Sequence, residues 1–433
     1  MRCGPGRDLV TADPLDRVAA DCEVVGRRLS RDPFGDPQAW HETQVEPDSL
    51  TVGRTTVAAF QVGRRPDGGA TGIGFAVSRD DGRTWTSGLL PSLTQASRPP
   101  GPHDRASDPV VAYDAATETW LIATLAVEGR TTRLTVSRSA DGGSWSDPVF
   151  AAEAGAVDGG IAFDKEWLTC DNGPASAFRG RCYLAYTDSA AGDALGVRTS
   201  ADGGLTWSAP VRVAVTDAVG AFPVVRPGGE LVVPFLWSGR RIGAATSRDG
   251  GASFEPPVVV SELRERSPRG LRFFPLPAAD VDPAGRIWVA WHDCRPSPGC
   301  VRNSIVVSTS PDGTAWAAPV PVTAGRNALL PALGLDPERG RAALAYHVVG
   351  PAGGIDVELV ELGPDLRPLA APQRLSARTM RPEWLPQTTS GRMLADYISV
   401  HYATGAPLAV WVLASEPAGK RLRQAIYATR VAR

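Results

Sequence analysis

The stretch Ser200-Ala201-Asp202-Gly203-Gly204-Leu205-Thr206-Trp207 decides the fold, because its pattern returns along the chain. Ser78-Arg79-Asp80-Asp81-Gly82-Arg83-Thr84-Trp85 and Ser247-Arg248-Asp249-Gly250-Gly251-Ala252-Ser253-Phe254 repeat it, and residues 139–145 and 310–316 repeat it one residue shorter. The starts at 78, 139, 200, 247 and 310 lie 47 to 63 residues apart, the period of a supersecondary repeat. Its chemistry is that of a hairpin turn. Ser and Asp oxygens accept hydrogen bonds from turn amides, Gly takes a backbone conformation closed to other residues, and the aromatic ring folds back between strands. Asp80, Asp141, Asp202, Asp249 and Asp312 therefore read as turn residues, not as a catalytic acidic set.

Each of these boxes follows an apolar strand, and two further strands precede it. The first unit takes residues 49–53, 56–62 and 72–78, and the rhythm recurs through 110–139, 167–200, 224–247 and 278–308. Two units without a box, 332–360 and 398–429, keep it, so the count is seven, with six as the alternative. Short fourth strands are expected after the boxes, near Val211 and Val320. The expected fold is all-β, a single β-propeller over residues 41–433, preceded by a segment 1–40 with a local disulfide. The last unit has no room for a fourth strand before the C-terminus. The Cys3 to Cys22 segment, or residues just after it, is expected to pair there and leave no open sheet edge.

Composition agrees with many short strands and tight turns: Gly 46 and Pro 38 make up nearly a fifth of the chain, scattered between apolar runs. Charge is balanced, 45 Lys and Arg against 47 Asp and Glu, so no global field draws in nucleic acid or an anionic membrane. Lys stands only at Lys165 and Lys420, so the basic side is Arg, through coding bias or through anion recognition. The six cysteines form three close pairs, Cys3 with Cys22, Cys170 with Cys182 and Cys294 with Cys300, a spacing that suggests short-range disulfides made in an oxidising compartment. Zinc-site spacings are missing, and no run is apolar enough to span a membrane. The first ten residues lack the apolar core of a signal peptide, which suggests a mature secreted chain with Met1 left by expression; a cytosolic protein with six free thiols is the alternative. The sequence has no Gly-rich phosphate loop, HExxH, nucleophile elbow or Ser-His-Asp arrangement, which argues against NAD, flavin and nucleotide chemistry.

The boxes, together with residues 45–49, 164–172, 291–295 and 391–399, resemble the Asp-box (BNR-repeat) sialidase superfamily, in particular bacterial secreted exo-α-sialidase-like proteins. The resemblance implies a glycoside hydrolase acting on terminal acidic sugars, with a retaining mechanism and a Tyr nucleophile. Two features depart from it: sialidases have six blades where seven units are counted here, and the Phe/Tyr-Arg-Ile/Leu-Pro motif is missing.

In a propeller, residues just before the innermost strand of every unit converge on one mouth. That rule selects Glu46, Asp48, Asp108, Asp164, Lys165, Glu166, Phe222, Arg272, Phe274, Asn327, Asp396 and Tyr397. On the sialidase pattern Tyr397 is the expected nucleophile, Glu46 or Glu166 its activator, and Asp108 the acid/base. Arg64, Arg272, Arg295 and Arg392 are the expected ligands of the substrate's carboxylate. His292, His347 and His401, near strand ends, would hydrogen-bond a sugar or lie buried as structural imidazoles. No cofactor is required, although calcium held by Asp48, Asp108, Asp164 or Asp396 would equally explain the crowded carboxylates. The expected partner is a glycan or other carbohydrate, met by a monomer. The competing readings are a non-catalytic propeller that binds glycan or protein, and another carbohydrate-active chemistry such as a lyase.

Overall fold

The computed structural model describes residues 24–155 and 160–431 together with 3, 8–13, 16, 18 and 22; Met1, read above as left by expression, lies outside them. The chain is all-β. Among the described residues the strands form seven successive antiparallel meanders and a small three-stranded sheet. The first meander runs Gln44–Val52, Thr55–Arg64, Ala70–Ser78 and Thr86–Leu89. The first strands of the next six units are Arg105–Asp114, Phe163–Cys170, Val224–Val225, Ala278–Val281, Ala328–Leu335 and Ser399–Ala403. Each lies beside the first strand of the following unit, and that of unit seven lies beside that of unit one. The expected fourth strands are present as Val211–Arg212 and Val320–Pro321. In unit seven the last strand of the chain, Gln424–Arg430, pairs antiparallel with Val24–Arg28, which in turn pairs parallel with Leu9–Ala12.

The second strands explain why the sequence reads as continuous apolar runs there. Leu231–Trp237, Ile287–Asp293 and Ala406–Ala414 are buried on both faces, with only Trp237 partly exposed, because neighbouring units pack face to face. Trp288, Trp291 and Trp411 are among the largest fully buried side chains, each of the kind whose truncation to Ala costs about 3–5 kcal/mol. Glycine on the third strand makes room for the aromatic residue opposite it. Tyr186 pairs with Gly196 and Phe235 with Gly243, and a Cβ at either glycine would stand 2.7 or 2.8 Å from the ring.

The boxes close the turns between third and fourth strands as their chemistry requires. In the third unit Ser200 Oγ donates to Asp202 Oδ1 (2.8 Å), the Gly204 amide to Ser200 Oγ (2.9 Å), and the Leu205 and Thr206 amides to Asp202 Oδ1 (3.0 and 2.9 Å). Trp207 Nε1 then closes the loop on Gly204 O (3.3 Å).

Arginine joins the units. Arg79 donates to Asp141 O in the next unit, Arg138 to Gly203 O, Arg181 to Gly250 O, Arg226 to Gly285 O, Arg286 to Pro364 O and Arg341 to Gly405 O, over 2.6 to 3.1 Å. Thr404 Oγ1 returns from unit seven to Asp81 Oδ1 of unit one (2.6 Å). This clasp is a structural use of arginine that neither sequence explanation of the Arg bias included: a guanidinium reaches a neighbouring turn carbonyl while its stem covers apolar surface. All three expected disulfides are formed, Cys3–Cys22, Cys170–Cys182 and Cys294–Cys300.

Candidate functional site

A second repeat marks the points where the first strands enter the molecule. Glu46-Pro47, Asp108-Pro109, Phe222-Pro223, Leu276-Pro277 and Leu330-Pro331 recur there, with Lys165-Glu166 and Asp396-Tyr397 at the corresponding points of units three and seven. In units one, two, three and six the pairing register slips at this step, between Val45 and Asp48, Ser107 and Val110, Asp164 and Trp167, and Leu329 and Ala332. Glu46, Asp108, Lys165 and Leu330 take left-handed backbone angles there, with φ of 51°, 48°, 51° and 56°. Such bulges re-aim a side chain, and non-glycine residues hold these angles only where surrounding structure imposes them.

The leading residues of this repeat divide into two arcs. Asp396, Glu46, Asp108 and Lys165, from units seven, one, two and three, are charged; Phe222, Leu276 and Leu330, from units four to six, are apolar. Lys165 Nζ sits among the first group, 2.7 Å from Asp396 Oδ2, 3.5 Å from Asp108 Oδ2 and 3.6 Å from Glu46 Oε1. Arg272 grips Asp396 from the other side, Nε to Oδ1 at 2.9 Å and Nη2 to Oδ2 at 2.5 Å. Gln61 Nε2 donates to Glu46 Oε2 and, at 3.0 Å, to Ser107 Oγ, which donates to Asp108 Oδ1.

Environment drives these acids apart. Burial pushes Glu46 well above the usual carboxylate range, and the attraction of Lys165 does not compensate. Burial acts the same way on Asp108, but Lys165 and hydrogen bonds with Glu46 and Ser107 outweigh it and hold Asp108 below its ordinary value. Asp396 is likewise lowered, by Lys165 and Arg272 against burial, whereas burial lifts Asp164 to about 6. Lys165 remains an ammonium: desolvation opposes its charge, and Asp108, Asp396, Glu46 and Asp164 more than restore it.

Two cavities meet this cluster, and a third adjoins the second. The outer one, about 500 Å³, has Glu46, Asp108, Asp164, Lys165, Arg64, Arg105, Arg130, Arg272 and Asp67 among its lining residues. An inner one of about 30 Å³ shares Asp108 and Lys165 with the outer and adds Glu166, Trp167, Phe222 and Tyr397. A third, about 170 Å³, shares Trp167 and Phe222 with the inner one and is lined also by Asp48, Asp280 and His401.

The structure brings together Glu46, Asp108, Arg64 and Arg272 of the expected site on one cavity and places the other expected residues elsewhere. Tyr397 and Glu166 face the inner cavity only. The Tyr397 hydroxyl donates to Pro109 O (3.2 Å), and burial followed by the nearby Glu46, Asp108 and Glu166 raises its phenol well above its ordinary value, the opposite of what an attacking oxygen needs. Arg295 is spent on both oxygens of Asp293 and on Ser261, and Arg392 on the carbonyls of Glu383 and Leu385; neither lines the outer cavity. His292 is fully buried, with Nε2 3.4 Å from Glu265 and Nδ1 accepting from the Leu330 amide. His347 is buried without a hydrogen-bond partner among the described residues, and desolvation lowers it to about 3. The four expected calcium ligands do not form one group. Lys165 stands between Asp108 and Asp396, Asp48 faces the opposite cavity, and no set of three or more metal-ligating residues occurs among the described residues. Arg105 and Arg130 were missed. The available signal was position, since Arg105 stands three residues before the Asp108 bulge and Arg130 in the hairpin after the second strand.

A family model described as BNR repeat-like domain matches residues 53–327. No curated protein matches the sequence. Among solved structures the chain is similar to the Hadza microbial sialidase Hz136, at 18% identity and TM-score 0.52, over 74% of this chain and 66% of that one. It is also similar to the intramolecular trans-sialidase from Ruminococcus gnavus, at 15% identity and TM-score 0.50 over 72% and 91%. The NanB sialidase from Streptococcus pneumoniae is similar at 12% identity and TM-score 0.50 over 74% and 67%. At these identities the likeness is one of fold.

Proposed function

This chain belongs to the BNR repeat-like domain family of Asp-box, sialidase-like proteins, and from that premise we propose that it is a seven-bladed propeller whose outer axial cavity hydrolyses a glycoside bearing an acidic sugar. The propeller would comprise residues 41–433, with the segment 1–40 completing the last blade through Val24–Arg28. The cyclic contact of the seven first strands supports the blade count. The three disulfides support an extracellular location, and among the described residues no helix is long and apolar enough to cross a membrane.

The observation that carries the chemistry is the Glu46 and Asp108 pair: two carboxyl groups on one cavity wall whose surroundings favour opposite protonation states. That is the division of labour glycoside hydrolysis requires. Glu46, kept protonated by burial, would give its proton to the leaving oxygen. Asp108, kept ionised beside Lys165, would face the positive charge that develops at the sugar's anomeric carbon, and a water then adds its oxygen to that carbon and returns a proton to the deprotonated Glu46. Arg64, Arg105 and Arg130 bring positive charge to the same cavity for an acidic substituent, Arg64 while donating to Gly69 O and Arg105 while paired with Asp67. A panel of aryl glycosides including sialosides tests the reading. One member should be cleaved, with Glu46→Gln and Asp108→Asn each losing roughly 10²–10⁴-fold in kcat/KM. Glu46→Gln should suffer least on substrates with good leaving groups.

A non-catalytic glycan binder is the second reading. It is favoured by one observation: Arg295 and Arg392 are committed elsewhere, so the expected arginine cluster does not assemble. Glycan binding with no turnover across the panel would decide for it.

A further inference from the structure

The seven-fold repeat at the channel has Pro after its leading residue in five units and departs from it in two, where Glu166 and Tyr397 stand. Both exceptions face the same inner cavity. Glu166 is 1% exposed, and neither carboxylate oxygen finds a hydrogen-bond partner on any neighbouring described residue. An acid in that state is costly unless the cavity supplies a partner. The charged and titratable groups facing the same cavity are Asp108, Lys165, Asp396 and Tyr397, with Asp164 also acting on Glu166. The cavity, about 30 Å³, has room for an ordered water, and Glu166, Asp108, Lys165 and Asp396 on its lining can supply the two to four polar partners that a buried water needs.

We propose that the inner cavity is a single-water site, and that Glu166 is a neutral acid donating through this water to Asp108 from the side opposite the substrate. The water site stands on the cavity and on the unpartnered acid. The further consequence, that Glu166 is a positioning residue for Asp108, rests on the role given to Asp108 above. Burial and the adjacent Asp108 both favour the neutral form of Glu166. A neutral acid held in apolar surroundings can donate where a carboxylate cannot, and donation to an ionised acid lowers that acid's proton affinity. Asp108 lines both cavities, so this donor would act on it without occupying the space a sugar needs.

Two substitutions separate donation from bulk. Glu166→Gln keeps a neutral donor of the same shape, while Glu166→Met keeps volume and loses the donor. The infrared difference spectrum at pH 7 between the unaltered protein and Glu166→Gln should show the loss of one protonated-carboxyl component, with those of the other buried acids, Glu46 and Asp48, unchanged. A high-resolution crystal structure should show one ordered water in contact with Glu166 and with Asp108. Carboxyl NMR titration of Asp108 should move upward by about one pH unit in Glu166→Met and little in Glu166→Gln. A dry cavity, an ionised Glu166 at pH 7, or equal Asp108 titration in both variants would overturn the proposal. None of these measurements needs turnover, so a protein that cleaves no glycoside would remove the reaction and leave the water site standing.

Discussion

The molecule carries two sets of carboxylates that look alike in the sequence and behave oppositely in the fold. The box acids sit in turns at the surface, and local backbone amides donate to them. For Asp141 the amides of Gly143 and Ser144 dominate and lower it to about 2, and for Asp312 those of Ala315 and Thr314 do the same. The axial acids sit where seven units meet, and burial dominates: Glu46 and Glu166 rise well above the carboxylate range, Asp48 to about 7 and Asp164 to about 6. Among the axial acids, Asp108 and Asp396 stay low, because Lys165 and, for Asp396, Arg272 reach them from other units. An acid's protonation here is thus decided by whether its partners are supplied within the same few residues or only by distant chain.

The largest expected effect comes from removing the axial cation. Lys165→Met leaves the ionised Asp108 buried without its counter-charge, while Asp396 retains Arg272. The loss should be roughly 3–5 kcal/mol in denaturant unfolding at neutral pH. It should shrink as the pH is lowered and the stranded Asp108 takes up a proton. An undiminished midpoint at pH 7 would show that the cluster is not held by Lys165.

The pH dependence of paired variants should carry opposite signs. Folded Asp48 binds its proton more tightly than the unfolded chain does, so it costs stability as pH rises from about 4 to about 7. Asp48→Asn should therefore gain on the unaltered protein across that window and hold its advantage above it. Folded Asp141 binds its proton less tightly, so its contribution is complete above about 4 and is lost as pH falls toward 2. Asp141→Asn should fall behind as pH rises through that lower window. Thermal unfolding across pH 2 to 8 checks both, and slopes of the same sign would erase the distinction between the two sets.

Smaller effects test locality. Asp202→Ala removes the acceptor of the Leu205 and Thr206 amides, and about 1–2 kcal/mol should go with it, leaving the titration of the axial acids unmoved. A shifted Asp108 titration would mean that the turn and the axis communicate. The smallest effect belongs to the clasp. Arg138→Lys gives up the Nε donor to Gly203 O, and below about 1 kcal/mol is expected in the same unfolding assay.

The parts of this molecule whose cause is local could be read from the chain alone. A box needs only its own Ser, Asp, Gly and aromatic residue, so Ser200 to Trp207 predicts its own turn wherever the chain places it. The strands beside it are set by period and by apolar runs, and the disulfides by cysteines six to 19 residues apart. The channel repeat was also written in the sequence as X-Pro steps, although its meaning required knowing that these steps converge. Which charges meet was left to tertiary structure. Arg272 reaches Asp396 across 124 residues and Lys165 reaches it across 231, while Arg295, equally plausible by position, is captured by Asp293 two residues away. Long arginine and lysine side chains choose among many acids, and only the packing of whole units fixes which acid is near and how far burial has stripped it of water.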